Sequence, residues 1–113
     1  MSPAKEGARV LKTDNVLSEI SVLLRPVFIQ NNVKRAAVFG SYARGEHNDK
    51  SDMDFIVEFT DNASLLDLGG LFEDVREAVG KNVDILTFNS MTRETEEFTA
   101  NIMQDIRVIY EAE

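Results

Sequence analysis

Three aspartates have residue types and spacing that suit the binding of metal ions. Asp52 and Asp54 lie two residues apart in a stretch that alternates polar and apolar residues, and Asp84 lies in the short apolar run 83–86. Side chains two residues apart on a strand share a face, so Asp52 and Asp54 are expected side by side, with Cα atoms about 6.6 Å apart. If the two stretches pair as neighbouring strands, Asp84 lies about 5 Å from them.

Such a group of carboxylates suits divalent cations. Three carboxylates in a partly buried site cannot all stay ionised unless cations are present. Mg²⁺ takes carboxylate oxygens and completes its octahedral shell with water and substrate phosphates. Two such ions, about 3.5–4 Å apart, stabilise both the attacking and the leaving oxygen of an in-line displacement at phosphorus. The aspartates therefore predict a two-Mg²⁺ site for chemistry at phosphorus.

A turn of small residues provides the second part of such a site. The run Val33–Phe39 is rich in β-branched and small residues and ends at Gly40-Ser41. Glycine lets a backbone approach a ligand closely, and the N–H groups at the start of a helical turn bind phosphate. We therefore expect Gly40 and Ser41 to hold a polyphosphate. Arg44 would add positive charge for the phosphates or for the departing pyrophosphate.

Each of these features also has an ordinary structural explanation. About 0.7 D-x-D pairs are expected by chance in a chain of this composition, so the pair alone indicates nothing. Asp84 could occupy an edge or a turn, Ser41 could cap a helix, and Arg44 could be a solvated loop charge. A D-x-D pair at this distance from a Gly-Ser dipeptide is expected only about 0.002–0.003 times. The combination therefore favours the functional interpretation.

Helices and strands are predicted around these residues. A first helix follows a cap at Thr13 or Asp14, contains Pro26, which should kink or restart it, and ends at Asn31-Asn32. Strands are predicted over 33–39, 52–59 and 83–88, further helices over 64–79 and about 91–104, and a short last strand over 106–110. This order indicates an α/β (or α+β) domain with a small mixed sheet and helices packed on one face.

Two further expectations concern burial. The second predicted helix has an apolar stripe that should face the core, made of Leu65, Leu68, Leu71 and Phe72. His47 lies between Glu46 and Asn48, and we expect it in a solvent-exposed loop.

Composition narrows the class of protein. The chain has 113 residues, 12 Lys and Arg, 20 Asp and Glu, a net charge of −8, one His and no Cys. We expect one domain, 1–113, in which 1–12 form a loose tail. Disulfides, thiolate chemistry and a Cys/His zinc site are excluded, and the acidic balance argues against direct nucleic-acid binding. No signal peptide or membrane span is recognisable, so we expect a cytoplasmic protein without membrane contacts.

These motifs resemble those of the polymerase-beta-like nucleotidyltransferases. Gly40-Ser41, ten intervening residues and Asp52-Met53-Asp54 match the family signature. The longer strings 39–45 and 51–57 are similar to the minimal nucleotidyltransferase (MNT) branch, and Asp84 lies where the family has its third aspartate. The resemblance covers about 14–111 and shows no departure at the motif positions.

The resemblance implies a polymerase-beta-like nucleotidyltransferase fold and an enzyme that transfers a nucleoside monophosphate, usually AMP from ATP, to a hydroxyl. It implies that Asp52 and Asp54 bind the Mg²⁺ ions, and that Asp84 binds the catalytic ion and helps to deprotonate the acceptor. Gly40 and Ser41 would hold the triphosphate. It also implies an antitoxin whose partner is a HEPN-domain ribonuclease toxin, modified on tyrosine.

Size and charge leave other functions open. A chain of 113 residues has little room for a separate acceptor-binding domain. A non-catalytic antitoxin that neutralises its partner by occlusion is therefore also consistent, and its negative charge would steer it to a basic, RNA-binding protein. A small-molecule acceptor such as an aminoglycoside is a weaker alternative, because no second domain forms a drug cleft. Minimal domains that expose part of a core face often pair, so we expect a homo- or hetero-oligomer.

Overall fold

A four-stranded sheet with surrounding helices makes up the structure, a computed structural model that describes residues 13–88 and 96–112. In chain order the elements are α1 (Thr13–Gln30), β1 (Val33–Phe39), α2 (Ser41–Arg44), β2 (Met53–Phe59), α3 (Leu65–Val79), β3 (Val83–Thr87), α4 (Glu96–Asp105) and β4 (Arg107–Glu111). The predicted tail, 1–12, and the start of the predicted third helix, 91–95, lie outside the described residues. Within the described ranges, no helix combines the length and the apolar character needed to cross a membrane.

The sheet is mixed, as the sequence predicts. Its strand order is β3-β2-β1-β4. β1 is antiparallel to both β2 and β4, whereas β2 and β3 run parallel. The helix α3 connects the parallel pair, because parallel neighbours need a crossover connection. The segment between β1 and β2 is polar and consists of α2 and the loop 45–52. It lies at the end of the sheet where the D-x-D motif begins.

The main core lies between one face of the sheet and the helices α1 and α3, which contact each other. Its fully buried large side chains are Leu24, Phe28, Val33, Val38, Phe55, Val57, Leu71 and Val75. Strand side chains alternate between faces. The residues between these core positions therefore face the other side, where Ala37 and Ile56 form a second, smaller buried cluster. The prediction of helices packed on one face is confirmed for α1 and α3.

The first helix differs from its prediction at two points. α1 is one helix of 18 residues that continues through Pro26, so the predicted restart is wrong. Proline removes one backbone hydrogen bond, but the buried positions Leu24 and Phe28 on either side of it hold the helix against the core. Thr13 and Asp14 lie within the first turn of α1 rather than before it.

The apolar stripe of α3 is buried only in part. Leu71 is fully buried, whereas Leu65 is 86% exposed and Phe72 is 37% exposed. At about 100° per residue, Leu65 lies about 120° around the helix from Leu71, so a stripe that contains both is too wide to face the core. The prediction of a core position is wrong for Leu65 and Phe72 and confirmed for Leu71.

Candidate functional site

The predicted carboxylates meet at one end of the parallel pair β2 and β3. Met53 pairs with Val83, and Asp54 pairs with Asp84, so the two aspartates occupy matching positions on neighbouring strands. Neighbouring strands lie about 4.8 Å apart. Asp52 immediately precedes β2, which begins one residue later than predicted. The structure thus brings all three predicted aspartates to the same end of the sheet, where β2 and β3 begin.

Asp54 faces away from the main core. Met53 and Phe55 on either side of it belong to that core, so strand alternation directs Asp54 to the opposite face. Asp54 is half-buried, whereas Asp52 and Asp84 are exposed. Burial, followed by the negative charges of Asp84 and then Asp52, raises the pKa of the Asp54 carboxyl to about 6. The three carboxylates therefore interact electrostatically and disfavour the ionised form of Asp54.

Gly40 forms a turn that touches these carboxylates. It follows β1, whose last residue, Phe39, pairs with Asp54. The φ angle of Gly40 is 75°, a conformation that favours glycine. A Cβ atom at this position would lie 2.5 Å from Asp54 Oδ2, so a larger residue would collide with the carboxylate. Ser41 then begins α2, which leaves the unpaired N–H groups of that helical turn beside the aspartates.

Arg44, the last residue of α2, is exposed and pairs with two acids. Its Nε donates a hydrogen bond to Glu46 Oε1 at 3.0 Å, and its Nη1 lies 3.5 Å from Asp105 Oδ2 at the end of α4. The charge of Arg44 lowers the pKa of Asp54, but burial and the neighbouring carboxylates outweigh it. Arg44 is therefore close enough to act on the site, although its guanidinium is shared with Glu46 and Asp105.

The donor set fits Mg²⁺. Asp52, Asp54 and Asp84 offer only carboxylate oxygens, which Mg²⁺ prefers, and a divalent cation would relieve the repulsion that raises the pKa of Asp54. Among the residues that the structure describes, no group of three His, Cys, Asp or Glu side chains lies close enough together to hold a metal ion by itself. Mg²⁺ is usually held by one or two carboxylates together with substrate phosphates, so an open arrangement agrees with this ion.

Sequence reasoning did not place Tyr42, His47 and Lys81 near one another, but the structure does. The prediction of an exposed His47 is wrong, because its ring is half-buried and stacks on Tyr42, with ring centroids 4.1 Å apart and planes inclined by 8°. Tyr42 is itself buried, and Lys81 lies near the same ring. The polar neighbours of His47 gave no signal for this contact, which depends on the path of the loop in three dimensions.

Two cavities differ in their relation to the aspartates. A cavity of about 480 Å³ opens beside Asp52, and its lining includes three basic residues, Lys50, Arg76 and Lys81, together with the acids Asp49 and Asp52. A cavity of about 530 Å³ lies near the other end of β2 and contains no predicted site residue. The first cavity includes residues next to β3, whereas Gly40 adjoins β1. Asp52 therefore borders the cavity, whereas Asp54 borders the Gly40 turn.

Comparisons with known proteins agree with this arrangement. The family model described as polymerase beta, nucleotidyltransferase matches residues 24–113. A Methanocaldococcus jannaschii protein, named for an inferred protein adenylyltransferase activity, is 47% identical over 75 residues, which are 66% of this chain and 81% of the relative.

Solved structures share the fold. A toxin–antitoxin crystal structure with AMP-PNP has a TM-score of 0.63 at 16% identity, over 82% of this chain and 74% of that one. A tri-AMPylated Shewanella oneidensis HEPN toxin in complex with an MNT antitoxin gives a TM-score of 0.59 at 13% identity, over 85% of this chain and 73% of that one. At these identities the likeness concerns the fold.

The fold and the paired aspartates define a nucleotidyltransferase. The chain belongs to the polymerase beta nucleotidyltransferase family, and the resemblance inferred from its motifs is confirmed.

Proposed function

We propose that this chain is a Mg²⁺-dependent protein adenylyltransferase that transfers AMP from ATP to a tyrosine hydroxyl of a HEPN-type toxin. It would act in the cytoplasm as the antitoxin of that partner. The observation that carries the proposal is the register of Asp54 with Asp84, next to Asp52 and directly against the Gly40 turn. This arrangement supports a site in which the carboxylate oxygens would bind metal ions beside a backbone that would accept a triphosphate.

Each residue has a distinct role in the proposed reaction. Gly40 and the N–H groups that follow it hold the triphosphate, and Arg44 adds positive charge. The acceptor oxygen forms a bond to the α-phosphorus, the bond from that phosphorus to the bridging oxygen breaks, and pyrophosphate leaves. The proton of the acceptor hydroxyl passes to Asp84. When bound by Asp52, Asp54 and Asp84, Mg²⁺ supplies positive charge that stabilises the transferring phosphate.

The relatives support the finer parts of the proposal. The inferred protein adenylyltransferase activity of the archaeal relative supports AMP transfer to protein. AMP-PNP in one structural neighbour supports ATP as the donor. The tri-AMPylated HEPN toxin bound to an MNT antitoxin supports a partner of that kind and a complex of the two chains.

The test is transfer of labelled AMP. The purified protein, labelled ATP and Mg²⁺ are incubated with the protein encoded by the neighbouring gene, and the label is located by mass spectrometry. We expect label on a tyrosine of the neighbour and its loss, by at least about 10²-fold, in Asp52→Asn and Asp54→Asn variants that remain folded. Asp61→Asn, which changes an exposed aspartate in the turn after β2, is the matched control and should transfer normally.

The same variants separate catalysis from occlusion. If catalysis neutralises the partner, Asp52→Asn and Asp54→Asn should fail to protect cells from the toxin. Protection that survives both substitutions would favour the non-catalytic binding module, for which the small size and negative charge of the chain remain the supporting observations. Undiminished AMP transfer by these variants would exclude the proposed site.

A further inference from the structure

A small cluster of side chains lies beside the site and consists of Tyr42, His47 and Lys81, here called the Tyr42 cluster. Tyr42 is only 5% exposed, and the ring of His47 stacks on it. The Nζ atom of Lys81 lies 5.7 Å from the centroid of the Tyr42 ring, within reach of a cation–π interaction. Three segments that are separate in sequence therefore meet at one aromatic ring.

These three segments are the ones that carry the predicted catalytic groups. Tyr42 belongs to α2, which begins directly after the Gly-Ser turn. His47 belongs to the loop 45–52, which ends at Asp52. Lys81 lies three residues before Asp84, in the turn that leads into β3. The cluster therefore connects the phosphate-binding turn to both strands that present carboxylates.

A hydrogen bond from Lys81 connects the loop before Asp52 to the turn before β3. This contact adds to the pairing between β2 and β3. The Nζ atom of Lys81 donates to the backbone carbonyl of Asp49 at 2.8 Å. Hydrogen bonds inside the loop, such as that from the Ser51 N–H to the Asn48 carbonyl at 3.0 Å, stabilise its shape. They do not determine where the loop lies relative to β3. The bond from Lys81 contributes to this placement, because it joins the loop to the turn before that strand, and the backbone bond from the Met53 N–H to the Asn82 carbonyl at 3.2 Å acts beside it.

His47 contributes its ring to the cluster. Its Nδ1 atom is buried and has no hydrogen-bond partner among the residues that the structure describes. A buried nitrogen without a partner is unfavourable, so the contribution of this side chain lies in its stacking on Tyr42.

We propose that Lys81 is a positioning residue that, together with the Tyr42 cluster, holds Asp52 and Asp84 at the separation needed to bind one metal–nucleotide complex. This inference rests on the proposed function. Asp52 lies at the end of a polar loop, so its carboxylate needs support from outside that loop. Groups that orient metal ligands typically change metal affinity or activity by about 10–100-fold when they are removed.

The first experiment removes the donor of Lys81. Lys81→Met keeps the length and apolar stem of the side chain but loses its charge and hydrogen bond. We expect the apparent Mg²⁺ affinity, measured by calorimetric titration of AMP-PNP binding at increasing Mg²⁺, to fall about 10–100-fold, with a comparable fall in kcat/KM. The melting temperature should stay near that of the wild type, because Lys81 is not part of the core.

Two further variants of lysines act as controls. Lys81→Arg retains a charged donor and should remain within about threefold of the wild type, because the contact needs one N–H group. Lys34→Met changes an exposed lysine that lies 3.8 Å from Glu58 Oε2, far along the sheet from the aspartates, and should leave Mg²⁺ affinity unchanged.

The second experiment separates stacking from proton chemistry at His47. His47→Phe keeps an aromatic ring and should retain Mg²⁺ and AMP-PNP binding, whereas His47→Ala removes the ring and should weaken it. If both variants are equally impaired although folded, stacking is not the cause and the role of the cluster is overturned.

The outcomes distinguish this inference from the proposed function. Wild-type protein that fails to bind AMP-PNP in the presence of Mg²⁺ would overturn the proposed function itself. Wild-type binding that is matched by Lys81→Met would overturn only the positioning role of Lys81.

Discussion

Asp54 occupies a position in which its ionised form lowers the stability of the metal-free protein. Burial and the charges of Asp84 and Asp52 raise its pKa to about 6, compared with about 3.9 for an unperturbed aspartate. The folded state therefore binds this proton more tightly than the unfolded state. The corresponding stability is present at low pH and is lost as the pH rises from about 4 through about 6.

Asp54→Asn should therefore stabilise the metal-free protein while it abolishes AMP transfer. Above pH 6 we expect a gain of about 1 kcal/mol in the free energy of unfolding, once solvent screening of this half-buried carboxylate is allowed for. Urea unfolding with EDTA, from about pH 4.5 to 7.5, should show a gain that grows up to about pH 6 and then levels off. A gain that does not change with pH would contradict the raised pKa.

Gly40→Ala should remove nucleotide binding, because the new Cβ would lie 2.5 Å from Asp54 Oδ2. Gly80→Ala is the matched control, since Gly80 has a similar φ of 67° but no atom within 4 Å of the added Cβ. Backbone strain should lower the stability of both variants by about 1–3 kcal/mol in urea unfolding. Calorimetry should show AMP-PNP binding lost only in Gly40→Ala, and binding retained there would exclude close contact between the turn and the carboxylate.

Site residues that belong to a short sequence pattern could be predicted from the sequence. Residues that act through contacts with distant parts of the chain could not. The pair Asp52 and Asp54 was predictable because a two-residue spacing places side chains on one face of a strand. Gly40 was predictable because a glycine at the end of a strand often marks a close approach. Lys81 was not, because its partner Asp49 lies 32 positions away and the contact depends on the turn between α3 and β3.

At the scale of single elements, α3 contains two adjacent glycines in different surroundings. A Cβ on Gly69 would meet no atom within 4 Å, whereas a Cβ on Gly70 would lie 2.9 Å from Asn31 Oδ1. Asn31 is buried, and its Nδ2 donates to the Val27 carbonyl at 2.9 Å and to Asp74 Oδ2 at 3.0 Å. This side chain connects the end of α1 to α3 and cannot move without weakening those bonds.

The two glycines should respond to alanine in opposite directions. Gly69→Ala should stabilise the protein by about 0.5–1 kcal/mol, because glycine within a helix is unfavourable relative to alanine. Gly70→Ala should lower stability by about 1–3 kcal/mol, because displaced Asn31 loses partners in a buried position. Thermal and urea unfolding of the two variants measure this difference. Equal stabilisation by both would show that Asn31 can move freely.

Periodicity predicted which segments form helices and which form strands. It did not always predict which face of a helix is buried. Alternation in 52–59 and the apolar run 83–88 predicted β2 and β3, and the structure has them as neighbours. Apolar spacing predicted α3, yet it could not decide which edge of the stripe faces the core. Leu65 and Leu71 have the same chemistry, and only the docking of α3 on α1 and the sheet separates them.

At the scale of the whole molecule, the candidate site is open to solvent at one end of the sheet, where Asp52 and Asp84 are exposed. Gly40 adjoins β1 on one side of the aspartates, and the cavity with Lys50, Arg76 and Lys81 opens on the other. An in-line displacement needs the leaving group and the acceptor on opposite sides of the phosphorus. In the proposed reaction the triphosphate would therefore lie toward β1, and the acceptor of the proposed partner protein would approach from the β3 side.

The net charge of −8 should govern how fast the proposed basic partner binds. Opposite net charges raise association rates through long-range steering, which salt screens, whereas dissociation depends on short-range contacts. Surface plasmon resonance with the protein encoded by the neighbouring gene should therefore show an association rate that falls about tenfold between about 50 and 300 mM NaCl, with a dissociation rate that changes far less. Lys34→Met makes the chain more acidic away from the aspartates and should raise the association rate at low salt. A salt-independent association rate would mean that docking relies on apolar contacts rather than on charge.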